Sequence, residues 1–219
     1  MKVEVRSEKN KQGYDVLILS EDATVADYLA AINLFIEESG IARPRHEKAQ
    51  AGTCMACNVC CQERIPLTSI DVVKLSSVIP LEELFAKYIY IYVHGRAVDI
   101  TLQLGPDGIC RLNSPDSRLC CQYQVRPLVC QTYICCPSSR RAARLREVVV
   151  NTGEDQLVRD WLKMVRQGII EPKIDEAIDL DLHEDDWLPT PFEGKRSYDE
   201  VFLKDLCTPQ LWEKLKWVR

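Results

Sequence analysis

Ten of the eleven cysteines in this chain of 219 residues fall between Cys54 and Cys136, in two groups. The first is Cys54-Met-Ala-Cys57-Asn-Val-Cys60-Cys61; the second is Cys110, Cys120-Cys121, Cys130 and Cys135-Cys136. Two intervening residues let a tight loop aim two sulfurs at one metal, while N–H groups of the loop donate to the thiolates. That spacing occurs twice within the first group, which burial of apolar cysteines does not require. The fold must therefore bring two distant stretches of backbone to a common inorganic centre. Adjacent Cys60 and Cys61 are expected to point in different directions and to serve different metals, or to include one non-ligand. Cys207 stands apart and reads as a core residue, because a free cysteine packs like a small apolar side chain.

Nothing else in the composition demands a metal for folding. With 46% apolar residues, a chain of this size buries roughly 70% of its unfolded surface. The formal charge of -5 argues against a general nucleic-acid binder, which needs a basic face. Met1 to Gln12 lack the apolar run of a signal peptide, and no stretch of about 18 apolar residues suggests a membrane span. The expected setting is the reducing cytosol, without membrane attachment and with an unidentified protein partner or substrate. An odd cysteine count there argues against a disulfide framework.

Local patterns predict an α+β fold: a small irregular, metal-stabilised cysteine core surrounded by short helices and a few strands. Residues 1–40 read as a strand-strand-helix unit, with Val3 and Val5 alternating, Val16 to Leu19 as a second strand, and Val25 to Ile36 at helical spacing up to Ser39-Gly40. Residues 41–53 read as a linker, 54–170 as the cysteine domain, and 171–219 as an acidic segment followed by short helices. Thr68-Ser69-Ile70-Asp71 has the form of a capping box that opens a helix. Leu81 to Tyr92 suits a helix, although the alternation from Tyr88 to Tyr92 suits a strand equally. Val98 to Leu104 reads as a strand ending in the turn Gly105-Pro106-Asp107-Gly108. Val148 to Val150 reads as a short strand, and Gln156 to Gln167 has helical periodicity.

Cys-x2-Cys-x2-Cys is also how the bacterial iron–sulfur ferredoxin run begins, although the only Cys-Pro here is the distant Cys136-Pro137. Pro127 fixes a turn that returns Cys120 and Cys130 towards the first group. Four thiolates around zinc or around an oxidised 4Fe–4S cluster leave a charge of about -2, which the guanidinium of Arg126 would offset. An iron–sulfur cluster suits the spacing best; zinc or a single iron is the alternative. Two zinc ions would need eight thiolates arranged in two tetrahedra.

The chain resembles a bacterial family of cysteine-cluster proteins known as zinc- or iron-chelating domains. The resemblance rests on the Cys54 to Cys61 block, Ile65-Pro66-Leu67-Thr68 with Asp71, Gly108-Ile109-Cys110, Cys120-Cys121-Gln122-Tyr123, and Arg126-Pro127-Leu128-Val129-Cys130. It implies a metal core of about eight thiols, here Cys54, Cys57, Cys60, Cys61, Cys110, Cys120, Cys130 and Cys136, with Tyr123 and Arg126 beside the cofactor. Whether Cys121, Cys135 or Cys136 is the last ligand stays open. A relative, flagellin lysine N-methylase, links the family to an iron–sulfur cluster and methyl transfer from S-adenosylmethionine. This sequence departs from the pattern at Asn58, where glycine is usual, and at Gln131, where arginine is usual.

The remaining features read as structural. His46, His94 and His183 lack ligand spacing. Arg140, Arg141, Arg144 and Arg146 read as a solvated helix face, with a phosphate or acidic partner as the alternative. The acidic run from Asp175 to Asp186 lacks the glycine of a calcium loop and is expected to pair with those arginines. No glycine-rich nucleotide loop, catalytic triad order or His-Glu-x-x-His occurs. An enzyme of methyl transfer or redox chemistry and a non-catalytic, metal-stabilised assembly module therefore stand level.

Overall fold

A computed structural model describes residues 1–7, 13–39, 59–133 and 137–217. Alternating valines form β1 (Val3–Ser7), which pairs antiparallel with β2 (Tyr14–Ile18) so that Val3 faces Ile18 and Val5 faces Val16. Thr24 and Asp27 start α1 (Val25–Ser39): the Asp27 N–H donates to Thr24 Oγ1 at 3.2 Å, and the Thr24 N–H donates to Asp27 Oδ2 at 2.9 Å. The apolar stripe Tyr28, Leu29, Ile32 and Phe35 is buried against the hairpin.

The capping box at Thr68 forms as the sequence suggests and opens α2 (Ser69–Ser76), with Asp71 completing it. A short α3 (Leu81–Glu83) runs into one π turn, Leu84–Tyr88. The Tyr88 to Tyr92 alternation then becomes β3 (Ile89–His94), not helix, because each inward residue finds a partner on β4 (Ala97–Leu102), as with Ile91 opposite Ile100. Beyond the cysteine loops come α4 (Leu128–Thr132) and α5 (Arg140–Arg166). The three residues of β5 (Glu176–Ile178) add in parallel to β3, giving the order β4-β3-β5. The chain closes with α6 (Leu203–Leu206) and α7 (Pro209–Leu215). Helices and two small, separate sheets make this an α+β fold.

Two apolar cores flank α5. Its Ala142, Leu145 and Val149 join β1, β2, α1 and the C-terminal Tyr198, Val201, Leu211, Trp212 and Leu215 in the first. Its Leu157, Val158 and Trp161 join Leu67, Leu75 and the inward faces of β3 and β4 in the second. Each fully buried aliphatic side chain contributes about 1.5–3 kcal/mol. Cys110 belongs to the second core, and Cys61, Cys120 and Cys130 pack partly buried against it. Cys207 packs against the first.

Two sequence expectations fail here. Val148 to Val150 is not a strand: it lies inside the helix of 27 residues that Ser139 caps, and Val149 and Val150 are buried in the first core. Tertiary burial outweighs the modest helix penalty of β-branched residues. Gly153 does not break this helix, because its bare Cα is where α5 meets α2; a Cβ there would lie 2.6 Å from Thr68 Cγ2. The acidic run does not pair with the arginine stretch either. Asp181 and Asp186 pair with Arg96, Glu184 with Arg166 and Asp175 with Lys173. Arg141 and Arg144 pair instead with the nearer Asp15 and Glu147. Among the described residues, no helix is long and apolar enough to cross a membrane.

Candidate metal centre

The cysteines that follow the first loop are organised by backbone hydrogen bonds. Cys60 and Cys61 occupy one 3-10 turn, and the Cys61 carbonyl accepts from the Cys110 N–H at 2.7 Å, tying the two groups directly. The turn at Gly105 to Gly108 folds back so that Leu104 bridges Cys110. The loop beyond it closes through an Asn113–Cys120 bridge and the Cys121 N–H donating to Leu112 O at 2.8 Å. Arg118, with φ 59, sits left-handed at the tip of this loop. Pro127 caps α4, which carries Cys130. The Leu128 N–H donates to Asp71 Oδ1 at 2.9 Å, fixing α4 to the cap of α2.

The result gathers sulfurs from both groups. Cys60, Cys110, Cys120 and Cys130 lie within one another's electrostatic field. Burial pushes the Cys110 thiol up to about 11 and raises those of Cys120 and Cys130. A hydrogen bond with Cys61, then burial, raises that of Cys60. Cys60 and Cys61 share one 3-10 turn, and the Cys61 thiol acts on that of Cys60. Thiols of this kind keep their protons until a cation replaces them, so metal uptake releases protons and stabilises the fold. All seven described cysteines are free, and Cys121 is exposed.

Arg126 faces this cluster. Its positive charge acts on Cys60 and Cys120, its guanidinium stacks 4.0 Å from the centre of the Tyr123 ring, and it donates to Asn33 Oδ1 of α1 at 3.1 Å. Its Nε is buried and has no partner among the described residues. Gln131 completes a clasp, donating to the Arg126 carbonyl at 2.8 Å and accepting from Asn33 Nδ2 at 3.3 Å. Asn113 Nδ2 donates to Cys61 Sγ at 3.7 Å. Sequence reasoning missed Asn33 and Asn113, which carry no local signal. An unpartnered guanidinium N–H beside clustered thiols is the donor set that an anionic metal–thiolate centre requires.

Residues 53–152 match the model of a family described as a "putative zinc- or iron-chelating domain". That segment is similar to the CxxCxxCC family. The likeness supports metal binding, by zinc or iron. No curated protein and no solved structure matches the chain. Of the CxxCxxCC ligand candidates, Cys60, Cys61, Cys110, Cys120 and Cys130 are described, whereas Cys54, Cys57, Cys135 and Cys136 lie outside the described residues. Among the described residues, no three Cys, His, Asp or Glu side chains form a group able to hold a metal ion. His94 and His183 are exposed, and His183 pairs with Asp181; His46 lies outside the described residues.

Proposed function

We propose that the CxxCxxCC domain holds a 4Fe–4S cluster through thiolates drawn from both cysteine groups. Of the eight candidate thiols, Cys60, Cys61, Cys110, Cys120 and Cys130 are described and Cys54, Cys57 and Cys136 are not; one such cluster takes four of them. The observation that carries this reading is the Cys61–Cys110 backbone hydrogen bond that joins the two cysteine groups, with a buried Arg126 Nε that has no partner among the described residues beside them. Arg126 would donate to cluster or thiolate sulfur and offset its charge, and Asn113 donates to Cys61 Sγ. When bound, such a cluster supplies one-electron transfer or a Lewis-acidic iron.

Cys110 also lines a cleft of about 370 Å³ with Gln62, Arg111, Asn113 and Arg118. That opening favours chemistry on a small molecule, methyl transfer or redox, over a closed structural site. Protein purified without oxygen is expected to be brown and to contain iron and acid-labile sulfide in equal amounts. Substituting Cys60 or Cys130 by Ser is expected to bleach it. Colourless protein with stoichiometric zinc and no sulfide would replace this reading with a zinc-stabilised assembly module.

A further inference from the structure

The start of α5 concentrates positive charge that the metal reading does not use. Arg140, Arg141 and Arg144 line a cleft of about 580 Å³ together with Lys214 of α7, Thr208 and Gln210. The cleft is built around a fixed cation. The Arg141 Nε lies 2.9 Å and 3.0 Å from the two carboxylate oxygens of Asp15, and its Nη1 donates to the Lys214 carbonyl. Arg140 and Arg144 stand one helical turn apart on the exposed face of α5, a like-charge spacing that destabilises a helix. Glu147 offsets Arg144 at 2.6 Å, whereas Arg140 and Lys214 make no ion pair among the described residues. Even with Asp15 and Glu147 counted, cations exceed carboxylates here by two, in a chain whose formal charge is -5.

We propose that this cleft binds a small phosphate-bearing ligand, its dianionic group held between Arg140, Arg144 and Lys214. Guanidinium forks match phosphate oxygens two at a time, and Lys214 adds a mobile point charge. A cleft of this volume takes more than a bare phosphate, and Thr208 and Gln210 supply hydrogen-bonding groups for the rest of the molecule. An extended nucleic acid fits less well, because the cations gather in one cleft and do not form a stripe.

The test is calorimetric titration of the full chain with pyrophosphate, ADP and adenosine at constant ionic strength. Pyrophosphate and ADP are expected to bind saturably, one per chain and below millimolar, and adenosine not at all. The double variant R140Q/R144Q is expected to weaken binding at least tenfold, and so is K214Q on the opposite element, with metal content unchanged in both. Absence of saturable binding, affinity unmoved by either set of substitutions, or binding of short single-stranded DNA at equal affinity would overturn the proposal.

Discussion

The phenol of Tyr198 donates to Asp71 Oδ1 at 2.6 Å across 127 residues of chain, and neither side chain reaches solvent. The same carboxylate accepts from the N–H groups of Leu128 at 2.9 Å and Thr68 at 3.0 Å. The cap of α2, the start of α4 two residues before Cys130, and the C-terminal segment thus meet at one buried group, the Asp71 carboxylate. Burial pushes the Asp71 pKa up, and the hydrogen bonds from Tyr198, Thr68 and Leu128 pull against it. Tyr198→Phe leaves Asp71 and Thr68 short of a buried partner and is expected to lower stability by about 1–3 kcal/mol. The midpoint of urea unfolding measures this, and an unchanged midpoint would show that the C-terminal segment is not anchored there.

Gly153 sets the distance between α5 and α2. Alanine is intrinsically better than glycine in a helix interior by about 1 kcal/mol. At this position, however, the added methyl would meet Thr68 Cγ2 at 2.6 Å and Thr68 Cβ at 2.7 Å, and Thr68 is buried and fixed by its cap. Steric overlap outweighs propensity, so Gly153→Ala is expected to destabilise by roughly 1–3 kcal/mol. Thermal unfolding checks the sign, and a stabilised variant would mean that the two helices can separate freely.

How much of this was legible in the sequence depends on the range of each interaction. The capping box at Thr68 and Asp71 is local and could be read directly. Its third partner, Tyr198, could not, because a hydrogen bond across the chain leaves no periodic trace. The alternation from Tyr88 to Tyr92 suited helix and strand alike until β4 supplied partners for Ile89, Ile91 and Val93. Val148 to Val150 looked like strand because β propensity reflects packing on a sheet, and here the packing is helical. Cysteine spacing and the Arg126-Pro127 turn pointed to the convergence of the two groups. The polar clasp of Asn33, Gln131 and Arg126 depends on α1, and nothing in the sequence of α1 announces it.

Arg126 is the most direct probe of the cysteine centre. Arg126→Gln keeps a polar side chain but removes the charge that acts on Cys60 and Cys120. It also removes the Nε that has no partner among the described residues. Loss of a group that supports metal ligands weakens metal retention about 10–100-fold. Iron content after mild chelator treatment is expected to fall in this variant, and any cluster that survives is expected to have a more negative reduction potential. Retention equal to that of the parent protein would place the metal away from Arg126.

Glu154 provides a pH dependence whose sign can be worked out. Its carboxyl faces Asp99 and Asp155 and accepts from the Ile100 N–H at 3.0 Å, and burial pushes its pKa up to about 8. In the unfolded chain the value is about 4.3. Between these two values the folded protein holds a proton that the unfolded chain has released, so stability declines as pH rises through this window and levels off above about 8. Asp71, also raised, contributes a slope of the same sign, so the informative quantity is the difference between the parent and Glu154→Gln. Glutamine retains an oxygen to accept from Ile100 and cannot ionise. The variant is expected to match the parent near pH 4–5 and to exceed it by a few kcal/mol at pH 8 and above. Parallel curves for the two proteins across the whole range would show that Glu154 is ionised in the fold.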